Sequence, residues 1–313
     1  MLAAAAIALP LPSAWPQEPE FDLQAHRGGR GETTEESLRA FTKAIELGVS
    51  TLELDIGITK DGQPLVWHDP TIDAEKCSDT APAFAGDPQY PYVGKLVHEL
   101  TLAQIRTLDC GRRLAEFPRA EVVRGNKIAT LPEVFALADS HRSPVRFNIE
   151  TKVEADRPSR SAAPQEFVDV ILAAIRAAGK VSSVEIESFD WRTLPMVRRA
   201  EPSIPLVALY DGQTWQPGSP WLAGEDVNAI GDPVTGALLV GANIVSPDYQ
   251  LVTERPYVDH AHALGLKVLQ WTVNDADTMR RQIGYGVDGL ITDYPTLLRS
   301  VLAELGMPLP PGC

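Results

Sequence analysis

Between residues 23 and 69 the chain carries His26, Arg27, Glu53, Asp55 and His68 in the run LQAHRGGRGETTEESLRAFTKAIELGVSTLELDIGITKDGQPLVWHD. These residue types suit chemistry on phosphorus. Imidazoles that titrate near neutrality serve as general acid and general base. Two ionised carboxylates side by side repel unless a divalent cation sits between them, and oxygen ligands select a hard cation, Mg2+ or Ca2+, over zinc. The planar fork of an arginine matches two phosphate oxygens. Singly, each residue has a plainer reading: a structural or solvated histidine, an exposed strand face, a surface ion pair. The joint reading depends on a fold that brings all five to one place.

The local pattern supplies such a fold. Residues 22–25 read as a short strand that stops at His26 and Arg27, because Gly28 and Gly29 together demand a turn. Thr33 and Glu36 have capping-box spacing for a helix whose apolar stripe is Leu38, Phe41, Ile45 and Leu47 and whose end is Gly48. Over 51–56 the alternation is strict, with Leu52, Leu54 and Ile56 on one face and Thr51, Glu53 and Asp55 on the other. Strand, helix, strand implies a parallel pair with a right-handed crossover. Asp61-Gly62 predicts a two-residue hairpin turn that sets Lys60 opposite Gln63, Ile56 opposite Trp67 and Asp55 opposite His68. His68 is then folded back to the level of the carboxylates, where His26 at the neighbouring strand tip meets them. Further on, alternation over 145–152 puts Asn148, Glu150 and Lys152 on one face, opposite Phe147 and Ile149. This offers a third carboxylate and a phosphate contact.

His26-Arg27-Gly28, Glu53-x-Asp55, the turn from Thr59 to Gly62 and His68-Asp69 resemble the glycerophosphodiester phosphodiesterase family. Glu150-Thr151-Lys152, Ser188-Phe189-Asp190, Gln270-Trp271-Thr272 and Thr292-Asp293-Tyr294-Pro295 follow in that family's order, so the resemblance runs from about residue 22 to 302. It implies metal-dependent hydrolysis of glycerophosphodiesters, such as glycerophosphocholine, to an alcohol and glycerol 3-phosphate. Glu53, Asp55 and Glu150 are expected to hold one divalent cation, Ca2+ or Mg2+. Arg27 and Lys152 would bind the phosphate, and His26 and His68 would share the acid and base roles. The attacker is water or the substrate's own 2-hydroxyl. The resemblance also implies that Trp271 lies against the alcohol part of the substrate, and that an insertion at 70–127 covers the barrel mouth and contributes to the pocket. Glu187 stands where the family often has glutamine, adding negative charge near the mouth, either as a further metal contact or as a residue that alters the alcohol preference. Two rivals share most of these residues: a barrel phospholipase D-like enzyme on intact lipids, and a catalytically silent binder of phosphate esters.

The rest of the chain supplies the frame. Strands ending at His26, Asp55, Lys152, Phe189, Tyr210, Ser246, Val273 and Thr292, with intervening helices, predict an α/β fold, a (β/α)8 TIM barrel with a cap-like insertion after the second strand. Every chemical residue above then lies at a C-terminal strand end, where such barrels keep their sites. The expected organisation is a signal segment at 1–17, a barrel over 18–305 that includes the insertion, and a tail at 306–313. The first sixteen residues are apolar and alanine-rich, like the core of a secretion signal, though no basic residue precedes them; a disordered tail is the alternative. Cys77 and Cys110 bracket much of the insertion without zinc-site spacing, and Cys313 is left over. In a secreted or periplasmic protein a Cys77–Cys110 disulfide would staple the insertion; in a cytosolic one all three would stay reduced.

At 313 residues and 44% hydrophobic, the chain is long enough for one barrel-sized domain. A net charge of −14 argues against nucleic acid and against an anionic membrane surface as partners. The expected partner is a small-molecule diester, with no stable membrane association. The long connection at 211–241, with Trp215 and Trp221, either walls the pocket or packs on the cap. His98, His141, His260 and His262 are read as non-catalytic, and the insertion's Arg112, Arg113, Arg119 and Arg124 as mainly solvated, with room for one of them to touch substrate.

Overall fold

The computed structural model describes residues 21–312. The expected signal segment and Cys313 lie outside the described residues. In chain order the elements are β1 (Asp22–Ala25), α1 (Leu38–Leu47), β2 (Thr51–Ile58), β3 (Pro64–Val66), α2 (Leu102–Ile105), α3 (Leu131–Ser140), β4 (Arg146–Thr151) and α4 (Pro164–Ala177). Then come β5 (Val184–Ser188), α5 (Thr193–Ala200), β6 (Leu206–Tyr210), α6 (Val227–Ile230), α7 (Pro233–Leu239), β7 (Ile244–Pro247), α8 (Arg255–Ala263), β8 (Lys267–Gln270), α9 (Ala276–Tyr285), β9 (Gly289–Thr292) and α10 (Pro295–Glu304). All strands except β3 run parallel in the order β1-β9-β8-β7-β6-β5-β4-β2, and β1 pairs with β2 to close the ring. The fold is the expected (β/α)8 barrel, with β3 antiparallel to β2 outside the ring.

The alternation read from the sequence divides the side chains as expected. Leu52, Leu54, Ile56, Phe147 and Ile149 are buried in the layer between strands and helices. The opposite faces point into the barrel, whose interior is split. Val207, Ile244, Leu269 and Ile291, from β6 to β9, form an apolar cluster, while β1, β2, β4 and β5 bury Gln24, Glu53, Asp55, Asn148, Glu150, Glu185 and Glu187. So many polar groups in one core are bearable only where each finds a partner.

Two local expectations fail, each for a physical reason. Thr33 and Glu36 form no capping box. The N-cap of α1 is Ser37, whose hydroxyl accepts the Ala40 N–H at 3.0 Å, and Glu36 lies outside the helix with φ 53°. β1 ends at Ala25, opposite Leu52, so beyond that point this edge of β2 lacks a strand partner. Glu36 Oε1 fills the gap by accepting the Asp55 N–H at 3.1 Å. The hairpin is also one residue out of register, with Ile56 opposite Val66 and Ile58 opposite Pro64. Its loop is Lys60-Asp61-Gly62, closed by the Thr59 N–H to the Gln63 carbonyl at 3.1 Å, with Gly62 at φ 71°. This is the three-residue hairpin with a left-handed glycine instead of the two-residue turn. The slip puts Trp67 opposite Asp55 and leaves His68 one residue beyond the ladder.

The excursion at 70–127 has a core of its own, in which Trp67, Ile72, Tyr92, Val97, Leu100 and Ile105 surround Cys77 and Cys110. The two cysteines are buried and bonded to each other. α2 is shorter than the run at 102–108 suggests, but Thr101 and Gln104 form a full capping box. The connection at 211–241 faces the barrel: Trp215 packs on Trp191 and Tyr210, and Trp221 meets Phe189.

Candidate active site

The C-terminal ends of the strands surround a cavity of about 230 Å3 lined by His26, Arg27, Glu53, His68, Glu150, Lys152 and Trp271, with Arg30, Glu187, Phe189, Leu209, Thr272 and Ile291. Of the eight residues picked from the sequence, seven line this one space. Asp55 lies beside it, 1% exposed, with Oδ2 at 2.9 Å from Arg27 Nε and Oδ1 at 3.6 Å from Lys152 Nζ.

His26 opens a single 3-10 turn, His26–Gly28, at the tip of β1. Gly28 has φ 78°, and a Cβ there would sit 3.0 Å from the Ala40 Cβ, so only glycine lets the turn rest on α1. The turn also aims the Arg27 N–H at Glu53 Oε2, 2.8 Å away. His26 Nδ1 lies 2.5 Å from Asp293 Oδ1, and Nε2 is left 3.9 Å from Glu53 Oε2. Asp293 is itself fixed by Asn274, whose amide donates to Oδ2 at 2.7 Å and whose Oδ1 accepts the Asp293 N–H at 2.9 Å. His68 is held in the same manner, with Nδ1 2.9 Å from Asp69 Oδ1. Each imidazole thus has one nitrogen tied to a carboxylate, and among the described residues the other makes no hydrogen bond.

Charges alternate across the floor. Asp69 binds Lys76 at 2.5 Å, Lys76 binds Glu35 at 2.6 Å, and Glu35 binds Arg27 at 3.2 Å and Arg30 at 2.9 Å. Lys152 binds Glu150 at 2.8 Å. Burial alone would lower the pKa of Arg27, but Asp55 and Glu35 more than reverse this and hold it above the ordinary value. Burial would raise Asp55; Lys152 and Arg27 bring it well below the usual carboxylate range. Burial, then Arg27 and Lys152, push His68 well below the histidine value, so its ring is neutral at pH 7. Glu53 and Glu187 go the other way, raised first by burial and then by neighbouring carboxylates.

One oxygen from each of Glu53, Glu150 and Glu187 lies within 4.8 Å of the other two. Among the described residues this is the three-carboxylate group spaced for a metal ion, and it takes in Glu187. Part of the wall is aromatic, and Lys152 Nζ lies 6.0 Å from the Phe189 ring centroid. Trp271, its indole N–H on the Ser246 carbonyl at 3.0 Å, meets Phe189 edge-on at 5.3 Å.

The expectation that the insertion lines the pocket needs correction. No residue of 70–127 lines this cavity; the cap reaches it through Lys76, which links to Asp69 and Glu35, and through Glu116 and Phe117, which hold Arg30. None of Arg112, Arg113, Arg119 and Arg124 lines the cavity; beside Arg27 and Lys152 the further cation is Arg30, from the turn after β1. His98, His141, His260 and His262 all lie away from the cavity. Arg30, Glu35, Phe189 and Asp293 had no role assigned from sequence. Phe189 and Asp293 were signalled by the runs Ser188-Phe189-Asp190 and Thr292-Asp293-Tyr294-Pro295, whereas Arg30 and Glu35 carried no signal.

A closed barrel with two carboxylate-held imidazoles, buried cations and clustered carboxylates at its mouth is the equipment of an enzyme that cleaves phosphodiesters. Residues 26–297 match the glycerophosphoryl diester phosphodiesterase family, and the chain belongs to it. A glycerophosphodiester phosphodiesterase of Caldanaerobacter subterraneus is 30% identical over 90% of this chain and 98% of its own length. A solved structure from Silicibacter pomeroyi, of a protein put forward as a glycerophosphoryl diester phosphodiesterase, superposes with a TM-score of 0.79 at 29% identity, covering 92% of this chain and 95% of that one. The fold is shared too by an Oleispira antarctica phosphodiesterase solved with the product sn-glycerol-3-phosphate, at a TM-score of 0.66 and 18% identity, over 90% and 96% of the two chains.

Proposed function

We propose that the protein hydrolyses soluble glycerophosphodiesters to an alcohol and glycerol 3-phosphate. In this reading one divalent cation, Ca2+ or Mg2+, is held by Glu53, Asp55 and Glu150, and His26 and His68 do the proton transfers. The observation that carries the reading is the pair of carboxylate-held imidazoles on one cavity with the clustered carboxylates. The product seen in the Oleispira relative is the one expected here.

The donor set fits a hard cation. All candidates are carboxylates, and both Asp55 oxygens are buried without a hydrogen bond of good geometry, so they keep acceptor capacity. A bound cation would neutralise phosphate charge and polarise a phosphoryl oxygen. The chain's own residues do the rest. Arg27, Lys152 and Arg30 line the cavity and offer charge to the phosphate, and Arg27 also braces Asp55. Asp293 and Asp69 fix the Nδ1 atoms of His26 and His68. One imidazole then takes the proton of the attacking oxygen, from water or from the glycerol 2-hydroxyl by way of a cyclic phosphate. The other gives a proton to the departing alkoxide. Phe189 and Trp271 screen the apolar side from water.

His26→Ala and His68→Ala are each expected to lower kcat on glycerophosphocholine by roughly 10²- to 10⁴-fold, and a chelator to abolish turnover until Ca2+ or Mg2+ is restored. Full turnover in either variant sinks the acid–base roles, and turnover untouched by the chelator sinks the metal. Faster cleavage of phospholipid vesicles than of the soluble diester would replace this reading with the lipid-directed one. Among the described residues no helix is long and apolar enough to cross a membrane. We also place the protein outside the cytoplasm, on the apolar first sixteen residues and the Cys77–Cys110 pair. An unprocessed N-terminus and cytosolic fractionation of the expressed protein would refute that.

A further inference from the structure

We propose that Glu187 contacts the divalent cation directly, making a fourth carboxylate at the metal site. The inference rests on the metal-dependent reading above. Glu187 sits on β5 in register with Glu150 on β4. Its side chain is 2% exposed and lines the cavity. It brings an oxygen within 4.8 Å of oxygens of both Glu53 and Glu150. Two oxygens bound to one Ca2+ lie at most about 5 Å apart, so the three atoms fit one coordination shell.

Two further observations point the same way. Among the described residues Glu187 has no cation of its own. Lys152 pairs with Glu150 and Asp55, and Arg27 with Asp55 and Glu35. The one hydrogen-bond partner of Glu187 among the described residues is the neutral amide of Asn148, which donates to Oε2 at 2.6 Å. A buried carboxylate crowded by others and lacking a counter-charge is costly, and a cation shared with Glu53 and Glu150 removes that cost. The aim of the side chain is also set from below. Asn148 Nδ2 donates as well to Gln24 Oε1 at 3.0 Å, and Gln24 Nε2 donates to Glu185 Oε1 at 2.8 Å. This column of amides up the barrel interior holds one Glu187 oxygen and leaves Oε1 for the cavity.

A glutamine at 187 keeps an acceptor for Asn148 and removes only the charge, so Glu187→Gln separates a cation contact from a structural hydrogen bond. Glu187→Asp keeps the charge and withdraws the oxygens. The test is calorimetric titration of the metal-stripped full chain with Ca2+ and, separately, Mg2+; the cation that the wild type binds serves as probe. Both variants are expected to bind it about tenfold or more weakly, since even outer partners of a metal site are worth that much. The cation-induced rise in Tm should shrink with the affinity. Affinity within about twofold of wild type in either folded variant overturns the proposal while leaving the functional reading standing. A wild type that binds neither cation overturns both.

Discussion

Glu35 holds three cations at once: Lys76 at 2.6 Å, Arg30 at 2.9 Å and Arg27 at 3.2 Å. Burial pushes its carboxyl up, but the cations, Arg27 foremost, more than reverse this and bring it from 4.5 down to about 2. Because the folded value lies below the unfolded one, the stabilisation is fully present above pH 4.5 and is lost as pH falls through about 2. The shift corresponds to about 3 kcal/mol. Glu35→Gln is therefore expected to cost about that much in urea unfolding at pH 7, with the gap to wild type closing as the pH is taken from 4.5 towards 2. A gap of the same size at both ends would show that packing, not charge, was lost. The sequence hid this residue, for a reason that separates it from Glu53 and Glu150. Those two sit in alternating strands, where position along the chain decides which way a side chain points. Glu35 lies in an irregular turn, and its partners come from the turn after β1 and from the cap. No periodicity links such positions before the chain is folded.

At the scale of elements, what was legible and what was not divides along the same line. The barrel strands and the glycine end of α1 follow from patterns a few residues long. The hairpin register and the start of α1 do not, because each is decided by a competing long-range need. Glu36 is taken by an unpaired edge of β2 before it can cap a helix, and the turn settles the ladder one residue away from the simplest pairing. The cap is the element whose stability is most in question. Its core is small and separate, and a small core buries too little surface to order a long segment alone. The bond between Cys77 and Cys110 closes a span of 33 residues, worth about 3 to 4 kcal/mol by loop-closure reasoning. Replacing both cysteines with serine is expected to cost about that amount. Amide exchange should then rise across 70–127 before it rises in β1, β2 and β4, since the cap would open while the barrel stays closed. Equal acceleration in cap and barrel would mean that the two unfold as one unit. Lys76 adjoins Cys77 and supports the link to His68, so kcat should fall in step with cap opening.

Across the whole molecule, one charge imbalance governs how a substrate arrives. The chain carries −14, while the cations at the cavity are mostly answered by carboxylates within a few ångströms: Arg27 by Asp55, Lys152 by Glu150, Arg30 by Glu35. Paired charges cancel with distance, so an approaching solute feels chiefly the negative field of the surface until it enters the mouth. Glycerophosphocholine has no net charge and is indifferent to that field. A glycerophosphodiester with an uncharged alcohol, such as glycerophosphoglycerol, carries its phosphate charge unbalanced and is repelled. Salt screens this long-range repulsion, with a Debye length near 30 Å at 0.01 M and about 8 Å at 0.15 M. It leaves the short contacts inside the cavity largely intact. Raising NaCl across that range at saturating divalent cation is therefore expected to increase kcat/KM for glycerophosphoglycerol by about two- to threefold, with little change for glycerophosphocholine. A fall with salt for the anionic substrate would mean that the unshielded fraction of Lys152 and Arg30, with the proposed cation, dominates the field at the mouth. The net charge of the chain would then be irrelevant to capture.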